Sequence, residues 1–137
     1  MNRLNGKIVA IENNSCLSLV DVAVGDEVFS ATLLETPQTA AYLRIGESVT
    51  LLFKETEVSL AKNLSGLISL RNRFGAMVSS IERGDILSAV RLDYGGRRIT
   101  SVITTRGLDI LQLAVGDAVD ALIKANEIVL MKGHHDA

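Results

Sequence analysis

The chain has 137 residues and a formal net charge of −2, with 14 basic and 16 acidic residues that form no long run of one sign. This balance argues against broad electrostatic binding to nucleic acid or to an anionic membrane, although a small cationic pocket remains compatible with it. The longest apolar runs are too short to span a bilayer, and Cys16 is the only cysteine, which excludes an intrachain disulfide and favours a soluble protein of the reducing cytoplasm.

The sequence contains an internal repeat with a period of 70 residues. Residues 1–62 and 71–132 align without a gap, so that Gly46 corresponds to Gly116 and Lys54 to Lys124. A fixed period of this kind indicates a repeated structural unit. One unit alone is too small for a well-buried core, and we expect each to depend on its twin or on further chains. The predicted boundaries are a first unit at 1–63, a connector at 64–71, a second unit at 72–133 and a polar tail at 134–137.

The first repeat predicts five strands and one helix. Thr36-Pro37 is expected to open the helix, because threonine caps unpaired amides and proline suits the first helical position. Gly46 is expected to end it, since glycine readily adopts the positive φ found at many helix ends. The predicted strands are Lys7–Glu12, Leu17–Val24, Val28–Leu34, Val49–Phe53 and Glu57–Ala61.

The second repeat predicts the same order of elements. Tyr94-Gly95-Gly96-Arg97 is a strong hairpin signal, and a helix is expected near Leu108–Leu113. The predicted strands are Met77–Glu82, Ile86–Leu92, Ile99–Ile103, Val119–Ile123 and Ile128–Met131. A helix between the third and fourth of five strands is typical of an OB-type barrel. The predicted fold class is therefore all-β with short helices, built as two tandem OB-like five-stranded β-barrel units; a plain β-sandwich is the competing interpretation.

The residue supply argues against an enzyme. No HExxH, GxSxG, Walker A or CxxC motif is present, and the only two histidines, His134 and His135, stand side by side in the tail. Cys16 has no histidine near it in the sequence. We predict neither a catalytic residue nor a protein metal site.

The best candidate for a binding segment is Ser69-Leu70-Arg71-Asn72, at the start of the second repeat. It offers a hydroxyl, a guanidinium, a carboxamide and backbone amides, and no carboxylate interrupts them. A compact oxyanion needs such donors, together with enough positive charge to offset its desolvation. The alternative interpretation is a linker turn in which Ser69 is a cap and Arg71 is solvated.

Two further segments could supply donors. One is Lys124-Ala125-Asn126, which has Lys54 at the corresponding place in the first repeat and could point a lysine into a crevice. The alternative interpretation is a solvated lysine paired with a neighbouring glutamate. Thr104-Thr105-Arg106-Gly107 lies where a strand meets a helix start, which either holds an anion or is simply capped. The first-repeat counterpart, Leu34-Glu35-Thr36-Pro37, lacks these donors, so the two copies are not expected to bind equally.

These segments, in this order, resemble the molbindin or Mop family of the TOBE superfamily. Members begin a unit with Ser-Ala-Arg-Asn and continue through an Ile-Glu-x-Gly turn, a Gly-Gly hairpin, an Ile-Thr helix start, a Leu-x-x-Gly-Asp turn and an Ile-Lys-Ala strand end. The matching segments here are 69–72, 81–84, 95–96, 103–104, 113–117 and 123–125. The second repeat matches from end to end and the first more loosely, so the chain is similar to a tandem di-Mop protein.

The resemblance implies binding of molybdate, or of the similar tungstate, for storage or homeostasis in the cytoplasm, with no organic cofactor. The implied sites lie between units or subunits of a homo-oligomer, with a trimer favoured and a dimer as the alternative. Ser69, Arg71 and Asn72 would face Thr104, Lys124 and Ala125, or Lys54. The full set of implied oxyanion-binding residues is Ser69, Leu70, Arg71, Asn72, Thr104, Gly107, Lys124, Ala125, Asn126 and Lys54.

The sequence departs from the family pattern at residues that affect the number of oxyanion-binding sites. The first repeat has no Ser-x-Arg, Gly107 stands where a serine often contributes, and Glu55 replaces the alanine beside Lys54. Three rival functions stay open: a ligand-sensing or oligomerisation module that regulates a molybdate transport or gene-control partner, a nucleic-acid-binding OB protein, and a purely structural oligomer whose site has decayed. The charge of −2 and the 4% aromatic content disfavour the second rival.

Overall fold

The structure is a computed structural model that describes residues 1–133, so the predicted tail at 134–137 lies outside the described residues. Ten strands account for most of the regular structure. They are β1 (Asn2–Asn13), β2 (Ser18–Val24), β3 (Glu27–Leu33), β4 (Ser48–Phe53), β5 (Ser59–Ala61), β6 (Asn72–Glu82), β7 (Leu87–Tyr94), β8 (Arg97–Thr104), β9 (Ala118–Ile123) and β10 (Val129–Lys132). One helix, α1 (Thr105–Leu111), and two 3₁₀ turns, Glu55–Glu57 and Ala125–Glu127, complete the described elements.

The chain forms two compact units, and each unit contains the fifth strand of the other repeat. The first barrel comprises Arg3–Phe53 and 124–133, and its sheet has the order β10-β4-β1-β2-β3. The second barrel comprises Met1–Asn2 and Lys54–Ile123, with the order β5-β9-β6-β7-β8. The boundaries predicted from the repeat describe the duplication of the sequence, whereas the compact units exchange β5 and β10.

Each sheet closes into a barrel. The outermost strands in the first sheet, β10 and β3, contact one another, as do β5 and β8 in the second. β2 alternates fully between buried and half-buried residues along its length, which is the period expected of a strand with one face in a core. The fold predicted from the sequence, two OB-like five-stranded barrels, is confirmed.

The hairpin predicted at Tyr94-Gly95-Gly96-Arg97 is present and joins β7 to β8, with Tyr94 opposite Arg97. Gly95 and Gly96 have φ values of 56° and 83°, the left-handed conformation that a tight hairpin turn requires at both central residues. Tyr94 is buried and its ring centroid lies 4.5 Å from that of Phe74, so both aromatic residues belong to the core of the second barrel.

The helix predicted for the first repeat is wrong. Residues 36–46 form turns, whereas the second repeat has α1 at the corresponding place. In α1 the amide of Gly107 donates to the side-chain oxygen of Thr104 at 3.0 Å. By the 70-residue offset, Leu34 replaces the accepting threonine and Pro37 replaces the donating amide, so this cap cannot form in the first repeat. The carbonyl of Thr36 instead accepts the amides of Thr39 and Ala40 in a local turn.

None of the helices in the part of the chain that the structure describes is long and apolar enough to cross a membrane.

Candidate functional site

The segment Ser69-Leu70-Arg71-Asn72 leads into the first strand of the second repeat. Ser69 and Arg71 are exposed and Leu70 is half-buried. Asn72 is the first residue of β6; it is buried and lies opposite Ile123, the last residue of β9. The buried asparagine therefore fixes the end of the segment, while the hydroxyl and the guanidinium before it remain accessible to a ligand.

Two arginines near this point have different roles. The guanidinium of Arg73 donates to Asp120 at 3.0 Å and to the carbonyl oxygen of Leu64 at 3.3 Å, which attaches the connector to the second barrel. Arg71 forms no ion pair with any carboxylate among residues 1–133. Arg73 is thus structural, and Arg71 has its charge available for an anion.

Thr104 and Gly107 contact each other at the start of α1. Because the hydroxyl oxygen of Thr104 accepts the Gly107 amide, its own proton is available to a further acceptor, and the residue is exposed. Gly107 also has little spare room, since a β-carbon there would lie 3.2 Å from the Thr104 hydroxyl. The small residue at position 107 keeps this hydroxyl uncovered.

The two lysines begin equivalent turns. Lys54 precedes the 3₁₀ turn Glu55–Glu57 of the second barrel, and Lys124 precedes the 3₁₀ turn Ala125–Glu127 of the first barrel. Both lysines are exposed, and neither forms an ion pair within the described residues. The pairing with Glu57 or Glu127 that the alternative interpretation required does not occur. Ala125 is half-buried and Asn126 is exposed beside Lys124.

A groove of about 590 Å³ in the second barrel gathers several of the polar groups. Thr56, from the turn that Lys54 begins, lines it together with Thr104 and Gly107. The exposed side chains of Leu87 and Ile110 form an apolar part of its wall. The structure thus brings Thr104, Gly107 and the Lys54 turn to one place.

The other candidates do not join this cluster. Asn72 is the first residue of β6 and lies opposite Ile123 of β9, whereas Thr104 is the last residue of β8 and lies opposite Leu87 of β7. Neither Asn72 nor the three residues before it line the groove that contains Thr104. Lys124, Ala125 and Asn126 belong to the first barrel.

One polar residue of the second barrel escaped the sequence analysis. The Nδ2 of Asn2 donates to the carbonyl oxygen of Thr100 at 2.8 Å, and the amide of Thr100 donates to the Oδ1 of Asn2 at 2.9 Å. These two bonds attach the first residues of the chain to β8. The only available signal was that the offset pairs Asn2 with Asn72, because the partner lies 98 residues away.

A carboxylate also lies in this region. The α-ammonium group of Met1 donates to Oε1 of Glu55 and holds the pKa of that carboxyl below its ordinary value. Glu55 is therefore charged at neutral pH beside Lys54. Within residues 1–133, no group of three or more His, Cys, Asp or Glu side chains is arranged to hold a metal ion.

Comparisons with known proteins agree with this architecture. Residues 68–130 match the TOBE domain family. The chain is 34% identical over 132 residues to the molybdenum transport protein ModE of Herbaspirillum seropedicae, a match that covers 94% of this chain and 49% of that protein. It is 34% identical over 64 residues to a probable molybdenum-pterin-binding protein of Haemophilus influenzae, covering 46% of this chain and 93% of that one. The chain thus spans about half the length of ModE.

A solved structure is similar over nearly its whole length. The cytoplasmic molybdate-binding protein ModG, in a crystal form with molybdate bound, has a TM-score of 0.90 and 29% sequence identity, with 96% of each chain covered. The fold and these matches define a class, the small β-barrel proteins built from TOBE domains. Within that class the chain belongs to the Mop-type family, as a tandem di-Mop protein.

Proposed function

We propose that the protein binds a tetrahedral oxyanion, molybdate or the similar tungstate, for storage or homeostasis in the cytoplasm. The observation that carries the proposal is that Arg71 and Lys124, at positions that match the family motifs, are exposed and form no ion pair within residues 1–133. The similarity to ModG over 96% of both chains supports molybdate as the anion. The proposal includes no catalytic step and no organic cofactor.

The chemistry of the donors suits a dianion. Arg71 and Lys124 supply two positive charges, which offset the cost of removing water from the anion. The hydroxyls of Ser69 and Thr104 donate to its oxygens, and Asn72 holds the segment in place. Leu70, Gly107, Ala125 and Asn126 complete the proposed lining, with Lys54 in the second copy of the lysine turn.

We expect the proposed site to require an oligomer. No residue of the Ser69–Asn72 segment lines the groove that contains Thr104, and Lys124 belongs to the other barrel, so one barrel does not supply all of the proposed donors. We expect copies of the chain to contribute the missing segments, as a homotrimer or alternatively a homodimer. The mass in solution, measured by light scattering, tests this requirement; a stable monomer that binds molybdate would contradict it.

Isothermal titration with molybdate tests the function, with sulfate and phosphate as control anions. We expect binding at micromolar concentration or tighter, with sulfate and phosphate ignored. Arg71→Ala should weaken molybdate binding by about ten-fold or more, because it removes a charge in contact with the anion. Arg98→Ala is the matched control, since Arg98 is an exposed arginine of the β7–β8 hairpin, and it should bind as the unmodified chain does.

Lys124→Ala should likewise weaken binding by about ten-fold or more, with Lys132→Ala in β10 as its control. If neither Arg71→Ala nor Lys124→Ala changes the affinity, the site assignment is wrong even if the protein binds molybdate. If the folded oligomer binds no oxyanion at all, the function itself is wrong.

A second candidate function is a module that regulates a transport partner in response to the anion. The match to 49% of ModE, a molybdenum transport protein, favours it, because the same unit there forms part of a longer chain. Capture of partners from cells grown with and without molybdate separates the two functions. Recovery of a partner that depends on molybdate would favour regulation over storage.

A further inference from the structure

The two lysine turns have nearly the same backbone, so their side chains can be compared directly. Lys54 has φ −74° and ψ 149°, and Lys124 has φ −68° and ψ 142°. In each turn the amide three residues later, that of Glu57 or Glu127, donates to the lysine carbonyl oxygen at 3.0 Å. The turns therefore present their lysines with the same local geometry.

The chemical difference between the turns is one carboxylate. Glu55 stands where the other turn has Ala125, while Glu57 and Glu127 are common to both. The Lys54 turn thus carries one cation and two carboxylates, whereas the Lys124 turn carries one of each. A dianion near Lys54 would therefore meet one carboxylate more than a dianion near Lys124, and the repulsion from that carboxylate grows as water is excluded.

The hydrogen-bond partner of Glu55 fixes where its carboxylate lies. Its carboxylate accepts a hydrogen bond from the α-ammonium group of Met1, which is the counterpart of Arg71 by the offset (1 + 70 = 71). This hydrogen bond holds the Glu55 carboxylate at the Lys54 turn. Asn2 holds Met1 in this place through its two hydrogen bonds with Thr100.

We propose that Glu55 keeps the Lys54 turn from binding a dianion, so that the two copies of the site are unequal and the Lys124 copy binds first. This inference rests on the proposed function. It assigns to Glu55 the role of a specificity-determining residue, one that sets how many anions the chain takes up without contacting them itself.

Titration with molybdate tests the proposal through the number of anions bound per chain. Glu55→Ala should add a binding event, or strengthen the weaker class of sites by about ten-fold, and Glu55→Gln should act in the same way without changing the size of the side chain. The reciprocal change, Ala125→Glu, should weaken binding at the Lys124 turn by about ten-fold or more. In the double variant that carries both Glu55→Ala and Lys54→Ala, the gained binding should disappear. That loss would locate the gained site at the Lys54 turn.

Glu82→Ala is the matched control for loss of one negative charge. Glu82 is an exposed residue of β6 whose carboxylate lies 3.5 Å from the guanidinium of Arg91, and its replacement should leave stoichiometry and affinity unchanged. Circular dichroism establishes that each variant is folded. If the unmodified chain binds molybdate and Glu55→Ala and Glu55→Gln bind it with the same stoichiometry and affinity, the role of Glu55 is overturned while the function stands. If neither the unmodified chain nor any variant binds, both proposals fail.

Discussion

At the scale of single residues, several cations of this chain are committed to holding the second barrel together. The ammonium group of Lys62 lies 3.1 Å from a carboxylate oxygen of Asp117 and donates to the carbonyl oxygens of Leu111 and Gln112 at the end of α1. A cation is favourable there because the last carbonyls of a helix have no partners within it. Its partners lie 49 to 55 residues away, so the sequence alone does not separate Lys62 from a binding lysine.

An exposed ion pair gives a test at this scale. Arg83 donates two hydrogen bonds to the carboxylate of Asp109, at 2.7 and 2.9 Å, and these hold the pKa of Asp109 below its ordinary value. In Arg83→Ala we expect the pKa of Asp109 to rise towards that value. Carboxyl-carbon chemical shifts followed by NMR against pH measure it.

The effect on stability follows from the sign of the shift. Because the pKa of Asp109 is lower in the folded state, its charged form stabilises the fold above the unfolded-state pKa, and this contribution is lost as pH falls through the folded-state pKa. Arg83→Ala should therefore remove part of the acid dependence of unfolding. The pKa of Asp117 is the internal control, since it is lowered by the amide of Ala114 and by Lys62. An unchanged Asp109 pKa in the variant would show that the pair does not persist in solution.

At the scale of secondary-structure elements, a buried hydroxyl pair explains why α1 is stable in the second repeat. The hydroxyls of Ser88 and Thr105 lie 2.8 Å apart, and the Thr105 hydroxyl also donates to the carbonyl oxygen of Gly84 at 2.8 Å. The helix start is thereby attached to β7 and to the turn before it. In the first repeat Glu35 replaces Thr105, and the buried hydroxyl of Ser18 has no partner within the described residues.

This difference predicts opposite outcomes for two equivalent substitutions. Ser88→Ala should lower the free energy of unfolding by about 1–2 kcal/mol, because it breaks a buried hydrogen bond and leaves polar partners unsatisfied. Ser18→Ala should leave the stability unchanged or raise it by up to about 1 kcal/mol, since it removes a buried hydroxyl that has no hydrogen bond to lose. Urea denaturation measures both. Equal destabilisation by the two substitutions would contradict the assignment of partners.

The elements also show what sequence reasoning can and cannot reach. Alternating apolar residues and glycine turns predicted the strands in their correct order, because local patterns carry that information. The helix expected at Thr36-Pro37 is absent because a helix at this place needs the capping side chain that Thr104 provides in the second repeat, and Leu34 does not provide one. The proposed site residues stay predictions for a related reason: their donors lie on separate segments, and the sequence carries no local signal for which segments meet.

At the scale of the whole molecule, the exchange of β5 and β10 is the feature that the 70-residue period leaves undetermined. The period shows that the fifth strands are equivalent, but either copy could complete either sheet. In the structure β10 pairs with β4, with Leu130 opposite Leu51, and β5 pairs with β9, with Leu60 opposite Ala121. Each barrel therefore takes one outer strand from the other repeat.

Amide hydrogen exchange measured on two variants tests whether β10 completes the first barrel and β5 the second. Leu130 is buried in β10, so Leu130→Asp should detach that strand and release the amide protection of β4 in the first repeat. Leu60→Asp should instead release β9 in the second repeat, because β5 is its neighbour. Each substitution is the control for the other, and NMR-detected exchange under native conditions measures both. If Leu130→Asp released β9 and spared β4, each repeat would keep its own fifth strand, and the topology described here would be wrong.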